Sequence, residues 1–420
     1  LTAEQKQQLE DDLGLEEAQK TTIKGKDIGR KIFSVETDSA ILENLMVNGI
    51  KDATNSLVGK TIIFAQSQAH AEQLEKLFCE ELYPQYGSAV CKVIHNKVDR
   101  PDARIDEFKK LIVRSPGHRP DCMPRDELAT SMVENLSFDI QHYSRSVLYL
   151  NGEYWGINVL KERFDEDFVS LKYDIKDDEI VILEGKGVVS YGDVSDEDHY
   201  YDMLDFVTNN NLDIPANMAY LNTQMDVNNY LEFMISQIQI GNGDWPTNNM
   251  RFWRKRVNYD DFSSLGHDGR WRWMFFDLDG GFGGTCSDVY YTINNLERAL
   301  DDSPSSASHT KLFRDLTSYQ SFRELFINKT CDLLNSTFTN AVMNTKLDES
   351  INGINPLMVD HTNRFGYPST STTLADRLLE TPSLDQWNYL VSRFGKFMDR
   401  RNRFIKRDMM LEWSLGDTLN

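Results

Sequence analysis

Two acidic motifs stand inside the most aromatic part of this chain, and they restrict its fold more than any other feature. Residues 241–254 read GNGDWPTNNMRFWR, and residues 270–284 read RWRWMFFDLDGGFGG. A carboxylate beside Trp, Phe and Met costs free energy unless a partner compensates its charge. The chain must therefore fold so that these carboxylates reach a cationic group, and a bound cation is one such group.

The spacing within the two motifs predicts a site for a metal ion and a phosphate. Asp244 and Asn249 suit one loop that aims a carboxylate at a hydroxyl and an amide oxygen at magnesium. Asp277 and Asp279 follow the apolar strand WRWMFF, where alternation would put both carboxylates on one side, and a glycine cluster follows. Either motif alone is equally consistent with a plain loop. Together they favour a site in which the two loops follow the order seen in kinases. The base loop, which carries Asp244 and Asn249, comes before the metal loop, which carries Asp277 and Asp279.

Composition and charge exclude several classes of protein. A length of 420 residues suggests two to three domains at roughly 100–200 residues each. The apolar share of 40% and the charged share of 26% are typical of globular proteins. With 45 basic and 66 acidic residues the net charge is −21, so no nucleic acid is expected as a partner. No apolar run is long enough to predict a transmembrane segment.

The cysteines and the first residues give little further restriction. The chain has five widely spaced cysteines: Cys79, Cys91, Cys122, Cys286 and Cys331. Without a C-x-x-C pair they predict free thiols rather than disulfides or a zinc site. The opening LTAEQKQQLEDDLG lacks the apolar core of a signal peptide, and its initial Leu fits a numbering that begins inside a longer product. The compartment is left open between cytoplasm, cell surface and secretion.

The first quarter of the chain has an α/β pattern. TIIFA predicts a buried strand and the residues after it an amphipathic helix, and VCKVIHNKV and RIDEFKKL repeat the pair. Gly59-Lys60-Thr61 is not a P-loop, because that loop needs a glycine where Thr54 stands and a helix afterwards. Over about residues 30–110 the sequence resembles the second RecA-like helicase domain of type I restriction enzyme motor subunits. It has no counterpart of that motor's phosphate-binding loop, acidic Mg²⁺ motif or late arginine motif.

After about residue 108 the pattern changes. Two alternating apolar runs flank a turn at Asn151-Gly152, which predicts a hairpin, and residues from about 310 to 410 are mostly helical in pattern. At the end of the second hairpin strand, Lys161 is a candidate for phosphate contact, and Glu162 for orienting the metal or the lysine. A surface ion pair explains Lys161 equally well. Arg114, Arg125 and Asp126 lie in a predicted polar loop, where a salt-bridged loop is favoured over a nucleotide or substrate contact.

Four stretches in this region resemble, in order and spacing, the CotH family of spore-coat protein H-like atypical protein kinases, which points to bacteria. They are RSPGHRPDCMPRDEL, YLNGEYWGINVLKERFDEDFVSLKY, NGDWPTNNMRFWR and RWRWMFFDLDGGFG. The resemblance implies an α+β, divergent protein-kinase-like fold with a mostly helical C-terminal lobe, preceded by the partial α/β RecA-like segment. The expected domains are 1–107 and 108–410, with 108–240 as the remainder of the nucleotide lobe and linker, 241–410 as the catalytic loops and helical lobe, and 411–420 as a tail.

The resemblance also implies roles for individual residues. Asp244 corresponds to the catalytic aspartate, and Asn249 to the asparagine that assists at the metal. Asp277, with Asp279 beside it, takes the place of the metal-binding aspartate, and Glu162 matches the acidic residue after the hairpin. Family members bind ATP with Mg²⁺, for which Mn²⁺ can substitute, and those studied phosphorylate serine-rich proteins.

One departure from the family pattern leaves three hypotheses open. Family members usually open with further strands that include a Lys-Lys-rich one, and here helicase-like sequence stands in their place. The chain therefore looks like a fusion of two incomplete pieces. The first hypothesis is a kinase that transfers the γ-phosphoryl group of ATP to a hydroxyl. The second is a catalytically weak nucleotide-binding or surface interaction protein of spore-coat type. The third is a fragment of a restriction motor, against which the acidic charge and missing ATPase motifs count.

Overall fold

The fold is known from a computed structural model that describes most of the chain in two compact units. The described residues are 35–49, 61–63, 65, 68–86, 91, 110–115, 123–150, 153–283, 290–303, 309–365 and 383–415. One unit comprises the described residues within 1–109 together with Arg145–Asn158, and the other comprises those within Lys110–Ser144 and Val159–Asn420. Every candidate site residue named above belongs to the second unit.

The first unit has a small α/β arrangement. It contains helices α1 (Val35–Asn48) and α2 (Gln68–Lys76), the π-helical turn Leu77–Leu82, strand β1 (Thr61–Ile62) and parts of β4 (Tyr143–Leu150) and β5 (Glu153–Glu162). Strand β1 runs parallel to β4, and Leu42, Leu74, Leu77 and Phe78 form a buried cluster. The predicted helix after TIIFA is confirmed. The predicted strand VCKVIHNKV, apart from Cys91, and most of the predicted helix RIDEFKKL lie outside the described residues. The end of that helix is wrong, because Leu111 begins a strand (Leu111–Arg114). The helicase resemblance stays a prediction.

A five-stranded sheet forms the centre of the second unit. Its order is β3 (Asp139–Ile140), β9 (Arg272–Phe275), β8 (Arg251–Lys255), β6 (Ile180–Glu184) and β7 (Val188–Tyr191). Strand β3 is parallel to β9, and the other neighbours are antiparallel. Strand β9 is the predicted apolar strand, and all four of its residues are buried. Separately, β2 (Leu111–Arg114) pairs antiparallel with the last four residues of β5.

Helices make up most of the rest of this unit. They are α3 (Arg125–Met132), α4 (Glu166–Tyr173), α5 (Asp196–Asn209), α6 (Pro215–Gln224), α7 (Val227–Ile240), α8 (Asn295–Leu300), α9 (Lys311–Ser318), α10 (Gln320–Leu334), α11 (Asn340–Phe365) and α12 (Leu384–Glu412). The predicted helical character of residues 310–410 is confirmed within the described ranges. The mixed α+β class is confirmed as well, whereas the kinase-like arrangement stays a proposal.

The packing of α7 against β9 places the two acidic motifs. The rings of Tyr230 and Trp273 lie 4.4 Å apart, and those of Phe233 and Phe275 lie 6.0 Å apart. Each fully buried aromatic side chain of this kind contributes roughly 1.5–3 kcal/mol. Helix α7 ends four residues before Asp244, and β9 ends two residues before Asp277. The aromatic core therefore brings both motifs to the same end of the packed pair.

Other sequence expectations have definite outcomes. The two hairpin strands are β4 and β5, while their predicted turn at 151–152 lies outside the described residues. Among the helices that the structure describes, none combines the length and the apolar character that crossing a bilayer requires.

Candidate active site

The two acidic motifs are held together by their backbones. The amide of Gly243 donates to the carbonyl of Gly280 at 2.7 Å, and the amide of Gly283 donates to the carbonyl of Gly241 at 3.0 Å. A Cβ atom at Gly280 would lie 2.8 Å from Oδ1 of Asn242 and 3.0 Å from Oδ2 of Asp244, so a larger residue here would displace these side chains. The base loop and the metal loop therefore form one hydrogen-bonded piece.

Three predicted site residues line one open cleft of about 490 Å³. They are Asp244, Asn249 and Asp277, and Glu184 and Arg251 border the same space. The side-chain amide of Asn249 donates to the carbonyl of Asp277 at 3.0 Å, which links the end of one motif to the start of the other. Asp244 is exposed at the cleft surface, where an incoming hydroxyl could reach it. The structure thus brings the predicted base and two predicted metal ligands to one place.

The paired carboxylates converge for a reason other than the one predicted. The extended backbone of β9 ends at Phe275, and Asp277 has a left-handed backbone with φ of +55°. Strand alternation therefore does not set the direction of its side chain. Both carboxylates converge on Arg114 instead: Nη1 lies 2.6 Å from Oδ1 of Asp277, and Nη2 lies 3.1 Å from Oδ2 of Asp279.

This arrangement fits a bound cation. The guanidinium of Arg114 already places positive charge between the two carboxylates, as a divalent ion would. Burial raises the pKa of Asp277, and Arg114 opposes that shift. At phosphate-binding sites Mg²⁺ is usually held by one or two carboxylates together with phosphate oxygens, and in kinases an asparagine is a further ligand. Asp277, Asp279 and Asn249 are therefore a chemically suitable ligand set.

Lys161 pairs with Asp126 rather than with the neighbouring Glu162. The Lys161 ammonium forms an ion pair with the Asp126 carboxylate, and both side chains are buried. Glu162 accepts hydrogen bonds from the backbone amide and from Nδ1 of His142, at 2.8 and 2.9 Å. The hydrogen bond between the His142 ring and the Glu162 carboxylate raises the pKa of His142. Because successive strand residues face opposite sides, the structure does not bring Glu162 to Lys161.

The expectation of a polar loop at Arg114, Arg125 and Asp126 is wrong. Arg114 ends strand β2, and the other two residues are helical. Both residues form the first turn of α3 and are almost completely buried, and Nη1 of Arg125 donates to the carbonyl of Asp279 at 3.4 Å. Pro124 before this turn and the acidic residues within it are a helix-start signal. That signal would have identified the helix from the sequence.

Comparison with known proteins identifies the family of this chain. A family model described as CotH kinase protein matches residues 92–405, which is 314 of the 420 residues. The chain belongs to the CotH kinase family. A comparison with curated proteins gave no match. The matched range of this CotH protein includes every candidate site residue, and it begins before the domain boundary expected near residue 108.

The base loop of this CotH protein has an anchor that sequence reasoning missed. Arg298 of α8 donates from Nη1 to the carbonyl of Asn242 at 3.2 Å and from Nη2 to the carbonyl of Gly243 at 2.9 Å. Asn295, which is fully buried, also donates to the carbonyl of Asn242, at 2.9 Å. No motif in the sequence connects α8 with the residues before Asp244.

A second arginine of the CotH protein supports the end of α7. Arg401 of α12 is fully buried, and its Nε donates to the carbonyl of Gln239 at 2.9 Å. Its Nη1 donates to the carbonyls of Tyr291 and Ile293 at 3.0 and 2.6 Å. Burial lowers the pKa of Arg401 to about 9. In the sequence this residue belongs to the basic run FGKFMDRRNRF, which does not reveal which of its arginines faces inward.

Proposed function

We propose that this CotH protein transfers the γ-phosphoryl group of ATP to a hydroxyl of a protein serine or threonine, with Mg²⁺ or Mn²⁺ as the metal. The observation that carries the proposal is the shared cleft of Asp244, Asn249 and Asp277 on two hydrogen-bonded loops. Phosphoryl transfer needs a residue that directs the acceptor hydroxyl and, within a few ångströms, ligands for a metal that contacts phosphate. A structural turn needs no such combination.

Asp244 acts on the acceptor. Its carboxylate orients the hydroxyl and takes its proton as the hydroxyl oxygen forms a bond to the γ-phosphorus. The bond between that phosphorus and the bridging β–γ oxygen breaks, and ADP leaves. Positioned proton acceptors of this kind contribute roughly 10²- to 10⁴-fold to a rate. The exposure of Asp244 fits contact with a large protein acceptor.

The remaining candidates act on the nucleotide. Asp277, Asp279 and Asn249 would hold the metal ion, which when bound neutralises negative charge on the phosphates. Arg114 and Lys161 are the cationic side chains beside these ligands, since Arg114 contacts both carboxylates and Lys161 pairs with Asp126 close by. We assign both to phosphate contact. Glu162 lies apart from this group and has a place in it only through the family resemblance.

Labelled ATP tests the proposal directly. Purified protein is incubated with γ-labelled ATP, Mg²⁺ or Mn²⁺ and a serine-rich protein acceptor, and wild type is compared with Asp244→Ala and Asp277→Ala. We expect Asp244→Ala to lose at least about 100-fold in transfer rate while retaining the affinity for MgATP, because the carboxylate acts on the acceptor. Asp277→Ala is expected to lose transfer and to weaken metal-dependent nucleotide binding.

Asp202→Ala removes an exposed carboxylate on α5, outside the cleft, and serves as the matched control. Full transfer by Asp244→Ala would refute the assignment of the base. Binding of MgATP without transfer to any acceptor would instead support a nucleotide-binding interaction protein. ATP hydrolysis that depends on DNA would revive the restriction-motor hypothesis.

A further inference from the structure

The loop that carries Asp244 is held by a charged side chain from outside both acidic motifs. The two carbonyls directly before Asp244, those of Asn242 and Gly243, accept hydrogen bonds from the two terminal nitrogens of Arg298. A planar guanidinium can satisfy two acceptors in a fixed relative orientation, which a single ammonium cannot. The direction in which the chain enters Asp244 is therefore set from α8.

The side chain of Arg298 is itself held in place. Its Nη1 also contacts Oδ1 of Asn295 at 3.2 Å, and the amide nitrogen of Asn295 bonds the same Asn242 carbonyl. Burial lowers the pKa of Arg298, and the nearby Asp244 carboxylate opposes that shift. Arg298 thus combines backbone hydrogen bonds with a charge opposite to that of Asp244.

The arginine also offsets an unfavourable field. Helix α7 ends at Ile240, so its carbonyl end, which carries partial negative charge, points toward the base loop. Arg401 bonds the Gln239 carbonyl in the last turn of α7, and Arg298 bonds the carbonyls just beyond it. Two guanidinium groups therefore compensate the partial negative charge at this end of α7.

We propose that Arg298 is a positioning residue for phosphoryl transfer, which fixes the base loop so that the Asp244 carboxylate faces the acceptor hydroxyl. The inference rests on the proposed function and adds a residue to it. Arg298 is not among the residues that line the cleft, so its effect passes through Asp244. A displacement of about 1 Å at a reacting group can lower a rate roughly 100-fold.

Two variants at this position separate positioning from general stability. Arg298→Met removes the charge and both hydrogen bonds. Arg298→Lys keeps the charge, but its single ammonium cannot donate to both carbonyls in the same fixed orientation. We expect Arg298→Met to lower kcat by about 100-fold, Arg298→Lys to fall between it and wild type, and KM for ATP to stay within about twofold. Hydrogen exchange of peptides spanning residues 241–250 is expected to be faster in Arg298→Met.

Arg323→Met is the matched control. Arg323 is similarly half-buried and donates to one backbone carbonyl, that of Thr317, far from the cleft motifs in sequence. Wild-type kcat in Arg298→Met, or an equal fall of kcat in Arg323→Met, would overturn the inference. If Arg298→Met does not fold, Arg298→Lys decides in the same way. If wild type transfers no phosphate, the proposed function fails. In that case, hydrogen exchange over residues 241–250 that is unchanged in Arg298→Met would overturn the positioning role by itself.

Discussion

Arg114 shows how one side chain can satisfy two acidic residues before any ion binds. Its guanidinium contacts both Asp277 and Asp279, and Asp126 lies 3.9 Å away. Charge-assisted bonds of a guanidinium with carboxylates are stronger than neutral hydrogen bonds. A divalent cation that uses the same carboxylates must therefore compete with Arg114 or share them with it.

Replacement of Arg114 is expected to tighten metal binding in the absence of nucleotide. In Arg114→Met the two carboxylates lose their internal cation, so the affinity for Mn²⁺ should rise by about tenfold, equivalent to about 1.4 kcal/mol. Titration followed by electron paramagnetic resonance of free Mn²⁺ measures this. Lys311→Met, which removes a cation paired with Asp315 outside the cleft, is the control. Weaker Mn²⁺ binding in Arg114→Met would show that the arginine helps to build the metal site instead.

Single residues were predictable from the sequence only where their partners are near in the chain. Asp244 with Asn249, and Asp277 with Asp279, stand out because each pair is local and its surroundings are aromatic. Arg298 and Arg401 act on backbone carbonyls far away in sequence, and a carbonyl leaves no trace in the identity of a residue. No local pattern could have assigned these two arginines to the base loop and to the end of α7.

At the scale of elements, the buried pair of Lys161 and Asp126 joins β5 to α3. Removing both charges from water costs several kcal/mol per ion, and the mutual attraction has to offset that cost. A buried pair of this kind is therefore weak evidence for stability. Because Asp126 also neighbours Arg114, which contacts Asp277, Lys161 stays a candidate for phosphate contact.

A double-mutant cycle separates these two roles. Lys161→Met alone leaves the buried Asp126 carboxylate with the more distant Arg114, at 3.9 Å, as its cationic neighbour, and is expected to lower the free energy of unfolding by about 3–5 kcal/mol. Lys161→Met combined with Asp126→Leu should recover most of that loss, as measured by urea denaturation. MgATP affinity should stay low in the double variant because the cation is still absent. Recovery of MgATP binding together with stability would show that Lys161 is structural only.

Elements were predicted well where hydrophobic periodicity decides their type. Strand β9, the hairpin strands and the C-terminal helices follow from apolar patterns whose burial the structure confirms. The first turn of α3 was missed because its buried residues are charged. Arg125 and Asp126 contribute no apolar periodicity, so only their partners in the folded protein, Asp279 and Lys161, account for their burial.

At the scale of the whole molecule, the net charge is −21, so protonation of carboxylates at low pH affects the stability of the fold. Asp268, before β9, is held by Arg272 through two hydrogen bonds of 2.7 Å and by Arg270 at 2.8 Å. Burial alone would raise the pKa of Asp268, but the bonds from Arg272 and Arg270 outweigh it and lower the pKa from 3.8 to about 2. The folded state therefore releases this proton more readily than the unfolded chain does.

The sign of the resulting pH dependence follows from that difference. A depressed pKa stabilises the folded state above about pH 4, and this contribution disappears as the pH falls from about 4 to 2. Asp268→Asn should therefore lower the free energy of unfolding by about 2 kcal/mol at pH 7. Between pH 4 and 2 the free energy of unfolding should fall less steeply in this variant than in wild type. Urea denaturation at pH 7, 4 and 2.5 measures both, with Asp202→Asn as the control. If the free energy of unfolding of Asp268→Asn fell between pH 4 and 2 as steeply as that of wild type, the role of this carboxylate would be contradicted.

The hydrogen-bonded glycine loops have a consequence for how this protein can evolve. A Cβ atom at Gly283 would lie 2.3 Å from the carbonyl oxygen of Tyr290, and one at Gly280 would meet Asp244. A larger residue at Gly283 would therefore require the backbone of Tyr290 to move, and one at Gly280 would require the side chains of Asn242 and Asp244 to move. Divergence at either glycine is thus expected to need a compensating change at a position outside its own turn.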